Sequence, residues 1–207
     1  MCSSDLSMNP LTLKDMRYKP SDLAPVALTL RQPFVLVASL QFPPNNVKEL
    51  IAYAKANPGK INWATQGIAG SSHLVGELLQ GLAGIQLFAV HYKGSAPANA
   101  DLFAGRADLH FDGSGTSLAN INSKRVKAIA HTGDKRVVGA PDVPTFSESG
   151  LPGMQVWSWY GMATTAGTPV RSRMVGVRST WAAIRSTSPG ANRPGQRTNS
   201  GTRMPPS

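Results

Sequence analysis

The sequence predicts an α/β fold, a mostly parallel sheet flanked by helices. Three observations predict it. From Val35 to about Met162, short apolar runs alternate with amphipathic segments of helical period, the rhythm of strands joined by helical crossovers. The apolar runs are rich in β-branched and aromatic residues and are bounded by Pro, Gly and Asn. A hydrophobic fraction of 41% over 207 residues is enough for one ordinary core.

Each element has its own signal. Phe34 to Ser39 (FVLVAS), closed by Pro43 and Pro44, reads as a strand and a turn. Asn46 stands three residues before Glu49, as in a capping box, and Val47, Leu50, Ile51 and Ala54 follow with helical spacing until Asn57-Pro58-Gly59 stops them. Ile61 to Thr65 is the next strand. Ser71 or Ser72 then caps a helix with an expected buried stripe of Leu74, Val75, Leu78, Leu79 and Leu82, ending near Gly84. Gln86 to Tyr92 is a strand, and Ser95 opens a short helix with Leu102 and Phe103 inward that Gly105 closes. Leu109 to Asp112 is a strand, Leu118 to Ile121 marks a short helix, and Val126 to His131 is a strand. Ala140 to Pro152 looks like a crossover loop, and Val156 to Met162 like a strand leaving the lobe. After Pro169 the chain turns to Arg, Ser, Thr, Pro and Gly without helical or strand period, which predicts a disordered basic tail over 171–207.

Composition excludes several classes. Cys2 is the single cysteine, so no intramolecular disulfide or zinc thiolate cluster can form, and a thiol at a chain end carries no assigned role. No apolar run is long enough for a membrane-spanning helix, and the first residues lack the basic start and apolar stretch of a secretory signal, so the chain as written is expected to stay in the cytoplasm. The net charge of +10 is concentrated: the seven arginines of 171–207 face no acidic residue and supply +7, leaving +3 for the first 170 residues. A nearly neutral globular part argues against nucleic acid as a partner.

Strand-to-helix loops of a parallel sheet open at its carboxyl edge, where such sheets bind ligands. Here they are TQGIAGSSH (Thr65 to His73), YKGSAPA (Tyr92 to Ala98) and DGSGTS (Asp112 to Ser117), all rich in Gly and hydroxyls and all running into a helix start. Glycine allows close approach of backbone, and first-turn N–H groups with the helix dipole favour negative charge, so together the loops predict a pocket for a small anion. Gly113-Ser114-Gly115 lacks the rest of a dinucleotide fingerprint, and no phosphate loop is present. Ser72-His73 with Asp112 lacks a nucleophile elbow, so no catalytic residue is assigned; His73, His91, His110 and His131 have no metal-ligand spacing, and neither metal nor other cofactor is expected. Lys93 reads equally as a carboxylate partner or a solvated strand end. Asp112 reads as an acceptor for a ligand amine, hydroxyl or water, or as a turn cap. Trp157, Trp159 and Tyr160 fit core and hinge packing better than a stacking platform.

Read in order, VKELIAYAKANPGKINWAT, GSSHL, HYKGSAPA, ADLHFD, PDVPTFSESGLPG and WSWYGMATTAGTP resemble the Bug family, the extracytoplasmic solute-binding receptors of tripartite tricarboxylate transporters, across residues 9–169. The resemblance implies a two-lobed periplasmic-binding-protein fold that closes on small carboxylates: di- or tricarboxylates, acidic amino acids or aromatic acids. It implies a periplasmic location, membrane permease subunits as partners and a monomeric receptor. It places Thr65, Gln66, Ser71, Ser72, Tyr92, Lys93, Gly94, Ser95, Ala96 and Asp112 on the second lobe's side of the cleft. The implied organisation is 1–33 as a remnant of the first lobe and hinge, 34–155 as the second lobe, 156–170 as a returning hinge strand and 171–207 as the tail.

The sequence also departs from that pattern. The family's first-lobe strand and proline-glycine loop have no counterpart, and Ile68, Ala69 and Gly70 replace small polar residues and a serine, with Ala96 where glycine is frequent. The loop changes leave the ligand's identity open. The missing first-lobe segments and the shift after Ala166-Gly167-Thr168-Pro169 to an arginine-rich tail without acidic residues predict a truncated receptor whose frame is lost near residue 170 and whose carboxylate affinity is impaired, a native basic tail being the alternative. A small α/β enzyme acting on an anionic substrate is the alternative from another class.

Overall fold

The computed structural model describes residues 18–169. A 3-10 turn, Pro20–Asp22, leads into β1 (Leu23–Ala38), followed by α1 (Val47–Ala56), β2 (Asn62–Thr65), α2 (Ser71–Ala83), β3 (Phe88–His91), α3 (Ser95–Phe103), β4 (Leu109–Gly113), α4 (Ser114–Asn122), β5 (Lys127–His131) and β6 (Trp157–Thr165). The predicted tail and Cys2 lie outside the described residues.

Local chemistry sets the helix ends. The Asn46 side chain accepts from Glu49 N–H at 2.9 Å, and the Glu49 carboxylate reaches back to Asn45 N–H at 2.8 Å, one residue earlier than in a standard capping box. Val47, Leu50 and Ala54 are fully buried as their spacing requires, and Gly84, left-handed at φ 61°, ends α2. At the start of α2 the outcome differs from expectation. Its N-cap is Gly70, with no side-chain cap, because the Ser72 hydroxyl instead accepts from Gln66 N–H at 3.0 Å. The buried face also differs: Ser72, Val75, Gly76 and Leu79 turn inward, while Leu78 and Leu82 are 37% and 44% exposed. The reason is Gly76, which lies against the Trp63 indole so closely that a Cβ there would fall 1.8 Å from the ring.

The sheet runs β3-β2-β4-β1-β5, with β6 pairing the outer half of β1. β2 is parallel to β3 and β4, as the strand–helix rhythm predicts. β1, however, runs antiparallel to β4, β5 and β6, so the sheet is mixed. The apolar run FVLVA is buried on both faces: Phe34, Leu36 and Ala38 join one core cluster, and Val35 and Val37 the other. A strand buried on both faces has no solvent side, and its pattern reads the same in either direction.

The direction of β1 positions the site. Phe34 pairs with Gly113 and Ala38 with Leu109, so β1 enters the sheet at the carboxyl edge of β4 and leaves at its amino edge. Before entering, residues 23–33 form a two-stranded ribbon with Trp157–Thr165, with Gln32 opposite Ser158 and Leu30 opposite Tyr160. No break falls between residues 33 and 34, and the described elements through Ala166 belong to one compact unit.

Candidate functional site

Three helices begin at the carboxyl edge, and each begins on glycine: Gly70 before α2, Gly94 before α3 and Gly113 before α4, none with a side-chain cap. Gly94 sits at φ 113° with ψ −179°, a conformation essentially reserved for glycine, and it swings the chain from β3 into α3. With no side chain over these ends, first-turn N–H groups of α2 and α3 are left facing the opening, the arrangement that receives anions. The end of α4 is partly filled by β1: Gln32 Oε1 accepts from Gly115 N–H at 3.2 Å and from the Ser114 hydroxyl at 3.3 Å.

The three ends border one cleft of ≈ 650 Å³. Gln66, Ser71, Ser72, Gly94, Ser95 and Asp112 line it, within the loops singled out in the sequence. Thr65, Tyr92, Lys93 and Ala96 stand outside its lining. Thr65 is fully buried, 2.8 Å from His91 Nδ1. The Tyr92 hydroxyl turns away to donate to Asp101 at 2.7 Å, and burial first, then that bond, pushes it up to about 12. Lys93 and Ala96 are exposed.

Asp112 is 3% exposed and tied to all three loops. Its Oδ1 accepts from Gln66 Nε2 (3.1 Å), the Ser95 hydroxyl (2.9 Å) and Gly113 N–H (2.9 Å), and its Oδ2 from Asn99 Nδ2 (3.0 Å). A buried carboxylate holding that many donors is an organiser of the surrounding backbone. Beneath it His110 is fully buried, Nδ1 at 2.8 Å from the Ala64 carbonyl, and burial holds its imidazole below the usual range.

The opposite wall was not visible as a site in the sequence. Leu30, Gln32 and Phe34 of β1, with Ser158 and Tyr160 of β6, complete the cleft. Gln32 Nε2 lies 3.4 Å from the Tyr160 hydroxyl, so the ribbon and the α4 end share one side chain. Alternation at Leu30, Gln32 and Phe34 was the available signal, since residues i, i+2 and i+4 share a strand face, but it could be used only once β1 was known to enter at this edge. Leu30 and Ile68 contribute exposed apolar surface, and no Lys, Arg or His lines the cleft among the described residues. Among the described residues no group of three or more His, Cys, Asp or Glu is placed to hold a metal ion, and no helix is long and apolar enough to cross a membrane.

Comparison with known proteins agrees with this architecture. The chain is 40% identical over 149 residues to a protein of the tcbD-tcbE intergenic region of Pseudomonas sp. strain P51, covering 72% of this chain and 44% of that one. Among solved structures, periplasmic binding protein BugD is 39% identical with a TM-score of 0.81, over 87% of this chain and 61% of that chain. An R. palustris protein described with adipate is 31% identical with a TM-score of 0.77, over 83% and 57%. A Rhodopseudomonas palustris protein described with bound malate is 28% identical with a TM-score of 0.78, over 87% and 62%. The chain spans about half the length of the curated relatives it matches. The family model for tripartite tricarboxylate transporter receptors matches residues 1–191, a longer span than the 9–169 carried by the sequence motifs. With its periplasmic-binding-protein-like fold and Bug relatives, the chain belongs to the tripartite tricarboxylate transporter receptor family, a family of solute-binding proteins and not of enzymes.

Proposed function

We propose that the cleft holds a carboxylate group of a small organic acid, as one wall of a solute receptor that serves membrane permease subunits from the periplasm as a monomer. The observation that carries this reading is the convergence of three glycine-capped helix starts with no cationic side chain among them. A carboxylate is received there by N–H groups, helix dipoles and the hydroxyls of Ser71 and Ser72, the Ser95 hydroxyl being engaged by Asp112. Leu30 and Phe34 give the carbon skeleton an apolar surface on the opposite wall, and Ile68 adds one on the first loop. The adipate and malate described with two structural relatives support this ligand class for the present chain.

No Lys, Arg or His among the described residues lines the cleft, and each charge-assisted hydrogen bond such a side chain would add is worth about 1.5–3 kcal/mol, roughly tenfold or more in Kd, so the expected affinity is low. Amide chemical shifts therefore make the test. Millimolar adipate should move the N–H signals of Ser71, Ser72, Ser95 and Ala96, whereas adipamide, of the same shape without charge, should not. Equal shifts with both compounds would remove the anion reading. Submicromolar binding of adipate in calorimetry would contradict the impaired affinity while leaving the ligand class intact.

A further inference from the structure

The cleft's first loop is held differently from the other two. Gly94 and Gly113 pass directly into their helices, but Gly67 to Gly70 makes a separate turn in which Ala69 adopts φ 57°. That left-handed conformation is uncommon for a residue with a Cβ and persists only where surroundings impose it. The Gly67 carbonyl accepts from Thr65 Oγ1 and from Gly70 N–H, both at 3.4 Å, and the contact on Ala69 itself comes from His73, on the first turn of α2: Ala69 N–H donates to His73 Nδ1 at 3.0 Å. Nδ1 can accept only when it carries no proton, which leaves the ring proton on Nε2, facing Glu77 Oε1 at 3.5 Å. The ring itself is clamped, tilted against Trp63 with centroids 5.5 Å apart and edge-on to His91 at 4.8 Å.

We infer that His73 is the positioning residue of this loop: its unprotonated Nδ1 holds Gly67 to Gly70 in the conformation that lines the cleft, and a proton on that nitrogen releases it. Nδ1 then becomes a donor facing a donor, and the bond that balances the strain at Ala69 is lost. The charged and titratable groups facing the ring are Glu77 from α2 and His91 from β3, whose own Nδ1 is 2.8 Å from Thr65 Oγ1 on β2. Burial and then His91 hold His73 below the ordinary imidazole range, with Glu77 opposing them, so release belongs to acid conditions below about pH 6.5. Ser71 and Ser72 start α2 directly after Gly70, so the same proton loosens one of the three helix ends that face the cleft.

The test uses the full chain without ligand and reads hydrogen exchange at the Ala69 amide, expressed relative to its unprotected rate at each pH. His73→Asn and His73→Ala are compared with the unchanged chain, because an asparagine side-chain oxygen can accept from the same N–H but takes no proton in this range. Protection of Ala69 should fall several-fold, on the scale of one hydrogen bond, between about pH 7.5 and pH 5 in the unchanged chain. It should stay high at both values in His73→Asn and be low at both in His73→Ala. Protection that ignores pH in the unchanged chain, or an acid loss that persists in His73→Asn, would overturn the assignment, and both readings stand even if His73→Ala fails to fold. A second arm rests on the carboxylate reading: adipate should lose affinity in acid more steeply with the unchanged chain than with His73→Asn, the ligand's own titration being common to both. Absence of any adipate response at either pH would count against the carboxylate reading alone, since the exchange result is obtained without ligand.

Discussion

Asp112 and Gly94 show what single residues contribute here. Asp112 satisfies donors from Gln66, Ser95, Asn99 and Gly113, so Asp112→Ala should leave several half-buried polar groups without partners and cost about 1–3 kcal/mol in urea unfolding, along with any adipate-induced shifts. Gly94→Ala meets no atom within 4 Å, so only the backbone conformation opposes it; a loss of about 1–3 kcal/mol and of the Ser95 and Ala96 responses is expected. A thermal midpoint equal to that of the unchanged chain would show that α3 can start without this conformation. Much of the cleft's polar side was legible at this scale. Loops rich in Gly and hydroxyls that run into helix starts are a readable signal, and Ser71, Ser72 and Ser95 from them line the cleft, although glycine and not serine stands at each N-cap. The inward turn of Asp112 was not readable, because one aspartate in a loop is equally suited to face a ligand or the neighbouring backbone. Tyr92 and Thr65 likewise follow partners on other elements, Asp101 of α3 and His91 of β3.

At the scale of elements, helices were easier to read than the direction of strands. α1 matched its expected stripe because Asn46 and Asn57 set both ends. α2 is rotated from its leucine stripe because the contact that orients it is an absence, the missing Cβ of Gly76 beneath Trp63. Gly76→Ala is therefore expected to destabilise the chain by about 1–3 kcal/mol despite the better helix propensity of alanine, since the indole has to move out of a packed position. Urea unfolding followed by tryptophan fluorescence checks it, and a stabilised variant would mean that α2 shifts freely on the sheet. The antiparallel course of β1 could not be read from a run apolar on both faces, and the ribbon wall of the cleft stayed hidden with it.

For the whole molecule, acidity should be destabilising through its interior histidines. His110 and His131 are fully buried, and burial holds both imidazoles below their ordinary value. The unfolded chain thus takes up protons near pH 6.5 that the folded chain refuses, so stability is complete above that value and declines as pH falls below it. Thermal midpoints at about pH 7.5 and 5.5 should differ accordingly, and His110→Gln should narrow the gap. β1 also has a consequence in time. Its partners lie far along the chain: Phe34 pairs with Gly113, Val35 with His131 and Thr29 with the Tyr160 carbonyl. During synthesis the apolar strand emerges before all of these partners and must wait until β4, β5 and finally β6 have been made, with large loops to close at each step. Until then FVLVA is an unsatisfied, aggregation-prone strand, and the yield of folded chain should depend on how long it is kept from pairing with a wrong neighbour.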